Sequence, residues 1–108
     1  MIKKYNVDDF RGGWFIGDFE PTLLRTKEFE ISIRHYMAGD EEDKHVHKVA
    51  DEYTVVIVGT VEMNGIQYNP KDIVLIEKGD VVKFRVLTDA ITIAVKVPSI
   101  IGDKYIVE

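Results

Sequence analysis

The chain has 108 residues, enough for one domain that buries about two-thirds of its unfolded surface without a covalent staple. It has no cysteine, which excludes disulfides, thiolate metal sites and cysteine nucleophiles, and points to a cytoplasmic protein. Its 19 acidic and 14 basic side chains give a net charge of −5 and are interleaved; with no basic block and no apolar run near the ~20 residues that span a bilayer, neither nucleic acid nor membrane is expected as a partner.

In chain order, MIKKYNVDDF lacks the apolar stretch of a secretory leader. Arg11-Gly12-Gly13 reads as a bend before a strand, and Trp14, Phe15 and Phe19 as core or dimer-contact residues. Pro21 limits Thr22–Glu28 to one or two helical turns. From Phe29 to Met37 apolar residues alternate at Phe29, Ile31, Ile33 and Met37, the period of a half-buried strand, and His35 falls on the same parity. The acidic run Glu41-Glu42-Asp43 reads as a solvated turn.

His45 and His47 follow, two residues apart, so a strand presents both imidazoles on one face. Lys48–Asp51 allows a turn, and Glu52 then opens a β-branched run, Tyr53 to Met63; pairing of this strand with the histidine strand would bring the carboxylate back beside the rings. Asn64-Gly65 predicts a type I′ hairpin returning through Ile66–Tyr68, which Asn69-Pro70 ends. Short strands at Ile73–Ile76, Val81–Leu87 and Ile91–Val97, with turns between them, complete the pattern of an antiparallel sandwich or barrel.

Two imidazoles and a carboxylate with positions left open suit Fe(II), Mn(II), Ni(II), Co(II) or Zn(II). The same H-x-H pair also occurs as surface histidines, or histidines satisfied by other partners, and the residues alone leave both readings open. On Ile91–Lys96, inward-facing Thr92, Ala94 and Lys96 would end in an ammonium at the cavity mouth, able to bind a substrate carboxylate or phosphate. Arg34, Tyr36 and Arg85 are similar candidates, the alternative for each being a solvated surface group.

Gly39, five residues, His45-Val46-His47, four residues, Glu52, six residues and Gly59 resembles the first motif of the cupin superfamily at every fixed position. Lys71 to Val82 is similar to the second motif, with Asp72 and Gly79 in place but Lys71 at the usual glycine, Glu77 or Lys78 at the proline and Val82 at the histidine. The resemblance implies an all-β, single-domain jelly-roll β-barrel (a double-stranded β-helix). That domain would comprise N-terminal strands over about 1–28, a cupin core over about 29–98 and a tail over about 99–108. It implies a divalent metal on His45, His47 and Glu52, with Glu52 also the catalytic group, and a small polar ligand such as a sugar or organic acid; strand parity offers Lys96, Arg34 and Tyr36 as the residues that bind it. Isomerase-like or oxygenase-like chemistry is one expectation; a non-catalytic binding or sensing protein with weak or no metal is the other, and the valine at position 82 favours it. His35 either replaces the missing histidine or faces solvent on the outer sheet. By the same analogy the expected assembly is a homodimer, with Trp14-Phe15-Ile16 as the contact.

Overall fold

The structure, a computed structural model, describes residues 1–108. The alternating sequence becomes eleven strands: β1 (Trp14–Ile16), β2 (Glu30–Tyr36), β3 (His45–Val46), β4 (Asp51–Val58), β5 (Val61–Met63), β6 (Ile66–Tyr68), β7 (Ile73–Ile76), β8 (Val81–Val82), β9 (Phe84–Val86), β10 (Ala90–Val97) and β11 (Tyr105–Ile106). Helical structure is confined to 3-10 turns at Val7–Asp9 and Arg11–Gly13; Thr22–Glu28 makes none. No helix is long and apolar enough to cross a membrane.

One wall is an antiparallel sheet in the order β1-β2-β10-β4-β7; the other is made of two smaller sheets, β11-β3-β8 and β6-β5-β9. The turn chemistry read from the sequence sets the β5–β6 hairpin, where Asn64 and Gly65 both take positive φ (53° and 84°) and Met63 pairs with Ile66. Two runs that read as single strands are broken. Gly59, at φ +80°, divides Tyr53–Met63 into β4 and β5, and a Cβ there would lie 2.1 Å from the Asp89 carbonyl oxygen, so only glycine fits. Lys83 divides Val81–Leu87 into β8 and β9 because its backbone is diverted to the hairpin turn: its N–H donates to Asn64 Oδ1 (2.8 Å) and its carbonyl accepts from the Asn64 N–H (3.2 Å). Lys71 holds φ at +81°, the left-handed conformation natural to glycine and costly for lysine by about 1–2 kcal/mol.

The largest departure from the sequence reading is the orientation of β2. Its apolar residues Ile31 and Ile33 lie on the outer face, while Ser32, Arg34 and Tyr36 face inward opposite Ala94, Thr92 and Ala90 of β10. Those three β10 residues are small and buried. They leave space that long polar side chains and a cavity occupy.

Below that space lies the apolar core: Val56, Val61, Met63, Val74, Ile76, Val82, Phe84, Val86 and Ala90, with Tyr36 and Tyr68 against it. Val56 and Val61 are wholly buried, each worth about 1.5–3 kcal/mol relative to an exposed side chain. The core closes one end of the barrel and supplies the floor of the site at the other.

Candidate functional site

His45 lies on β3 and His47 just beyond it; both are buried, at 7% and 4% exposure. Their ring centroids are 5.2 Å apart and the planes nearly perpendicular. Each Nδ1 meets a backbone carbonyl, His45 that of Asp43 at 2.8 Å and His47 that of Asp103 at 2.9 Å. A carbonyl only accepts, so each Nδ1 carries the hydrogen, and in the neutral rings the lone pair sits on Nε2. Burial first, then the Lys96 charge, push the His47 pKa below its ordinary value against the opposing pull of Glu52. His47 is therefore a neutral imidazole at pH 7.

Glu52 does not reach the histidines in the way the sequence suggested. β3 pairs with β8 and β11, whereas β4 pairs with β10 and β7 in the opposite wall. The loop Lys48–Ala50 carries the chain from one wall to the other, so the groups converge across the barrel interior and not along adjacent strands. Glu52 Oε1 lies 3.9 Å from His47 Nε2 and 3.9 Å from Lys96 Nζ, and its Oε2 accepts a 2.8 Å hydrogen bond from Thr54 Oγ1. Lys96 in turn sits over the Trp14 ring, 5.0 Å from the centroid.

These groups line a cavity of about 190 Å3 together with Arg34 and Tyr36, over a floor of Met63, Ile76, Val82 and Phe84. Arg34 stacks on the Tyr36 ring at 5.5 Å. Burial, the largest influence, pushes the Tyr36 phenol up to about 12, so it stays a neutral hydrogen-bond donor across the working pH range. Glu42, read as a solvated residue, reaches the rim and meets Lys104 at 3.8 Å.

The structure thus brings His45, His47, Glu52, Lys96, Arg34 and Tyr36 to one place. His35 is elsewhere: it is exposed on the outer parity of β2, so it does not stand in for the missing histidine. Arg85 is also outside, near Glu41 and Glu62 at 3.8 Å each. Val82, paired with His45, is 5% exposed and fills the wall with a side chain that cannot ligate.

One residue had no signal in the sequence reading. Asp103 belongs to the segment read as a tail, yet it is buried and its carboxylate accepts from three successive backbone N–H groups: Lys48 (3.0 Å), Val49 (3.1 Å to each oxygen) and Ala50 (2.8 Å). Three consecutive amides gripping one carboxylate form an anion nest, and here it locks the loop that joins the histidines to Glu52. With its carbonyl fixing His47, Asp103 positions two of the three groups at once. Beyond it β11 pairs with β3, holding the segment in place.

The donor set fits a divalent transition metal in chemistry: two imidazoles with Nε2 free of backbone partners, plus a carboxylate. It does not fit fully in spacing. Two atoms each ~2.1 Å from one ion lie roughly 3.0–3.4 Å apart, short of the 3.9 Å between His47 and Glu52. Accordingly, no three His, Asp or Glu groups stand close enough together to hold an ion without movement. Thr54 and Lys96 hold Glu52 at that distance from His47.

No family model and no curated protein matches the sequence. Solved structures do match: an uncharacterized conserved protein with a double-stranded β-helix domain from Klebsiella pneumoniae aligns with a TM-score of 0.71 and 23% identity, over 98% of this chain and 92% of that one. A sugar phosphate isomerase of the cupin superfamily from Silicibacter pomeroyi aligns at 0.58 and 18% identity, over 67% and 52%. The chain has the cupin fold. Bacterial pirin from Escherichia coli, solved in complex with nickel(II), matches at 0.65 and 12% identity, over 81% of this chain and 39% of pirin. At these identities the likeness establishes the fold alone, the jelly-roll architecture that the resemblance to the cupin motifs implied. His45, His47 and Glu52 all line the cavity inside this barrel.

Proposed function

We propose that this cupin-fold chain holds a divalent transition metal on His45, His47 and Glu52 and acts on a small polar molecule, a sugar or an organic acid. The observation that carries the reading is the pair of Nδ1 hydrogen bonds to the Asp43 and Asp103 carbonyls, which leave both Nε2 lone pairs on buried rings lining a polar cavity. A bound ion supplies Lewis acidity toward a carbonyl or water. The chain's own residues do the rest: Lys96 and Arg34 orient the ligand, Tyr36 donates a hydrogen bond, Trp14 walls one side and Glu52 is the group placed to take a proton. Cytoplasmic residence is part of the same proposal.

A second reading, a non-catalytic sensor or carrier, is favoured by Val82, which stands where the second-motif histidine would be. Turnover separates the two. Untagged protein reconstituted with Fe(II), Mn(II), Ni(II), Co(II) or Zn(II) and screened on uronates, keto-sugars and small hydroxy acids is expected to show a metal-dependent activity that falls at least about 100-fold in Glu52→Gln. Ligand binding without turnover under any of the five ions would establish the sensor reading and remove the enzyme.

We further propose a homodimer, with a contact different from the expected one. Trp14 turns into the cavity, whereas the outer face of the five-stranded sheet is apolar and open, from Tyr53 at 41% exposure to Ile73 at 67%, with Ile57, Leu75 and Val97 between. At ~4.8 Å spacing and ~3.3 Å per residue, strands of 3, 7, 8, 8 and 4 residues give a face of roughly 480 Å2 before side-chain relief, against the ~800 Å2 per partner of a standard interface. Light scattering at micromolar concentration should return twice the chain mass, and Ile73→Lys with Leu75→Lys should halve it; a monomeric mass for the parent contradicts the assembly.

A further inference from the structure

A second space, of about 300 Å3, adjoins the cavity and shares Trp14, His47, Lys96 and Lys104 with it. The segment Ser99–Asp103 forms one of its walls and is pinned at both ends. The Ser99 N–H donates to the Lys27 carbonyl (3.0 Å), Ser99 Oγ accepts from the Asp18 N–H (2.9 Å), and Asp103 sits in its nest of amides. Trp14 and Phe19 give this chamber an aromatic surface, and Glu30 gives it a carboxylate that the first cavity does not use. Burial, the largest influence, pushes the Glu30 carboxyl up against the pull of Lys96, the Ser99 hydroxyl and the Ile100 N–H, with a further push from Glu52. Glu30 is thus sheltered from bulk water in a chamber that is held open by its own backbone.

Each charge facing the chamber already has an opposite beside it. Glu30 on β2 and Glu52 on β4 flank Lys96 in register from its two neighbouring strands. Lys104 meets Glu42 at 3.8 Å, the Asp103 carboxylate is held by three N–H groups, and burial keeps His47 neutral. A charged ligand would bring an unmatched charge into this sheltered space; a neutral one does not. The polar groups still have capacity to spare, since an ammonium carries three N–H donors and a carboxylate about four lone-pair sites. A donor and an acceptor on strands ~4.8 Å apart suit two adjacent hydroxyls, each of which both donates and accepts. We propose that the chamber is a second binding subsite, for a neutral sugar ring whose hydroxyls are read by Glu30 and Lys96 and whose apolar face lies on Phe19, with Trp14 beside it. The volume, about 300 Å3, is the share of roughly ten waters and admits one such ring. The inference rests on the small-polar-ligand part of the proposed function and needs no ion.

Trp14 is the only tryptophan of the chain and lines both spaces, so its fluorescence reports binding in either. Full-length protein stripped of metal with EDTA should give a saturable emission change with at least one of glucose, galactose, mannose and xylose. Glucuronate, galacturonate and glucosamine should bind at least about tenfold more weakly than that sugar. Variants then locate the ring. Phe19 and Glu30 line the second space and not the first, whereas Val82 lines the first and not the second. Phe19→Ala and Glu30→Gln should each weaken binding at least about tenfold, and Val82→Met, which takes up room in the first cavity, should leave it within about threefold. Glu30→Gln preserves side-chain volume, and far-ultraviolet spectra confirm that all three variants are folded. Binding that survives in both Phe19→Ala and Glu30→Gln overturns the subsite; if it is lost in Val82→Met instead, the sugar sits in the first cavity and the proposed function stands. A uronate or glucosamine that binds as tightly as the neutral sugars overturns the neutral ligand and the subsite with it. So does the absence of a saturable response to all four neutral sugars up to about 50 mM, whereas the metal-dependent turnover proposed above does not depend on that result.

Discussion

Replacing Asp103 with alanine is expected to lower folding stability by about 3 kcal/mol and to loosen His47 in the same step. The carboxylate is the acceptor for the N–H groups of Lys48, Val49 and Ala50, and the Ala50 bond is fully buried. Alanine leaves those donors facing each other with nothing between them. Asparagine is a sharper test: it keeps the size but loses the charge and turns an N–H2 toward N–H groups, so about 2 kcal/mol is expected. Urea denaturation measures both; a loss under about 0.5 kcal/mol in Asp103→Ala would show that the nest is incidental.

The acid side of the stability profile follows with a definite sign. Burial pushes the Asp103 carboxyl up, but the N–H donors of Ala50, Lys48 and Val49, aided by His47, outweigh it, and the net pKa lies below the ordinary 3.8. A carboxyl lower in the folded than in the unfolded state stabilises fully above the unfolded pKa, and that contribution fades as pH falls through the folded value. The parent should therefore lose stability on acidification below about pH 4 more steeply than Asp103→Asn.

The second large effect is the loss of metal on removing either imidazole. Elemental analysis of untagged parent should find a transition metal at up to one ion per chain, and His45→Ala or His47→Ala should bring it to background. Each removes one of the two imidazoles in the cavity, and neither His35 nor Val82 is placed to substitute. The variants serve as each other's control for folding: the deletion leaves a small cavity beside a polar site, and far-ultraviolet spectra should remain those of the β-barrel. A parent at background metal content after reconstitution with all five candidate ions would argue for a metal-free binding protein.

How much of this was legible in the sequence depends on the range of the contacts involved. The spacing from Gly39 through His45, His47 and Glu52 to Gly59 is local and rigid, and the Asn64-Gly65 turn is decided by two residues, so both could be read directly. The inward parity of Thr92, Ala94 and Lys96 could also be read, because β10 is regular throughout. Which face of β2 turns inward could not: apolar alternation marks a face to be covered, and here a polar face lines the cavity while the apolar one forms the outer surface of the sheet. The wall crossing between His47 and Glu52 was hidden for a related reason, since pairing of β3 with β8 and β11 is a choice among distant partners. Asp103 lies more than fifty residues from the amides it holds, and a lone aspartate after a glycine has no local pattern to mark it.

The proposed metal centre requires Nε2 of His45, Nε2 of His47 and a carboxylate oxygen of Glu52 to share one ion. Anomalous diffraction from crystals of reconstituted protein tests this most directly. The account predicts a single strong peak inside the barrel, about 2.0–2.2 Å from all three atoms, with Glu52 drawn off Lys96. A peak on the protein surface, or none inside the barrel with the histidine rings ordered as described, would contradict it.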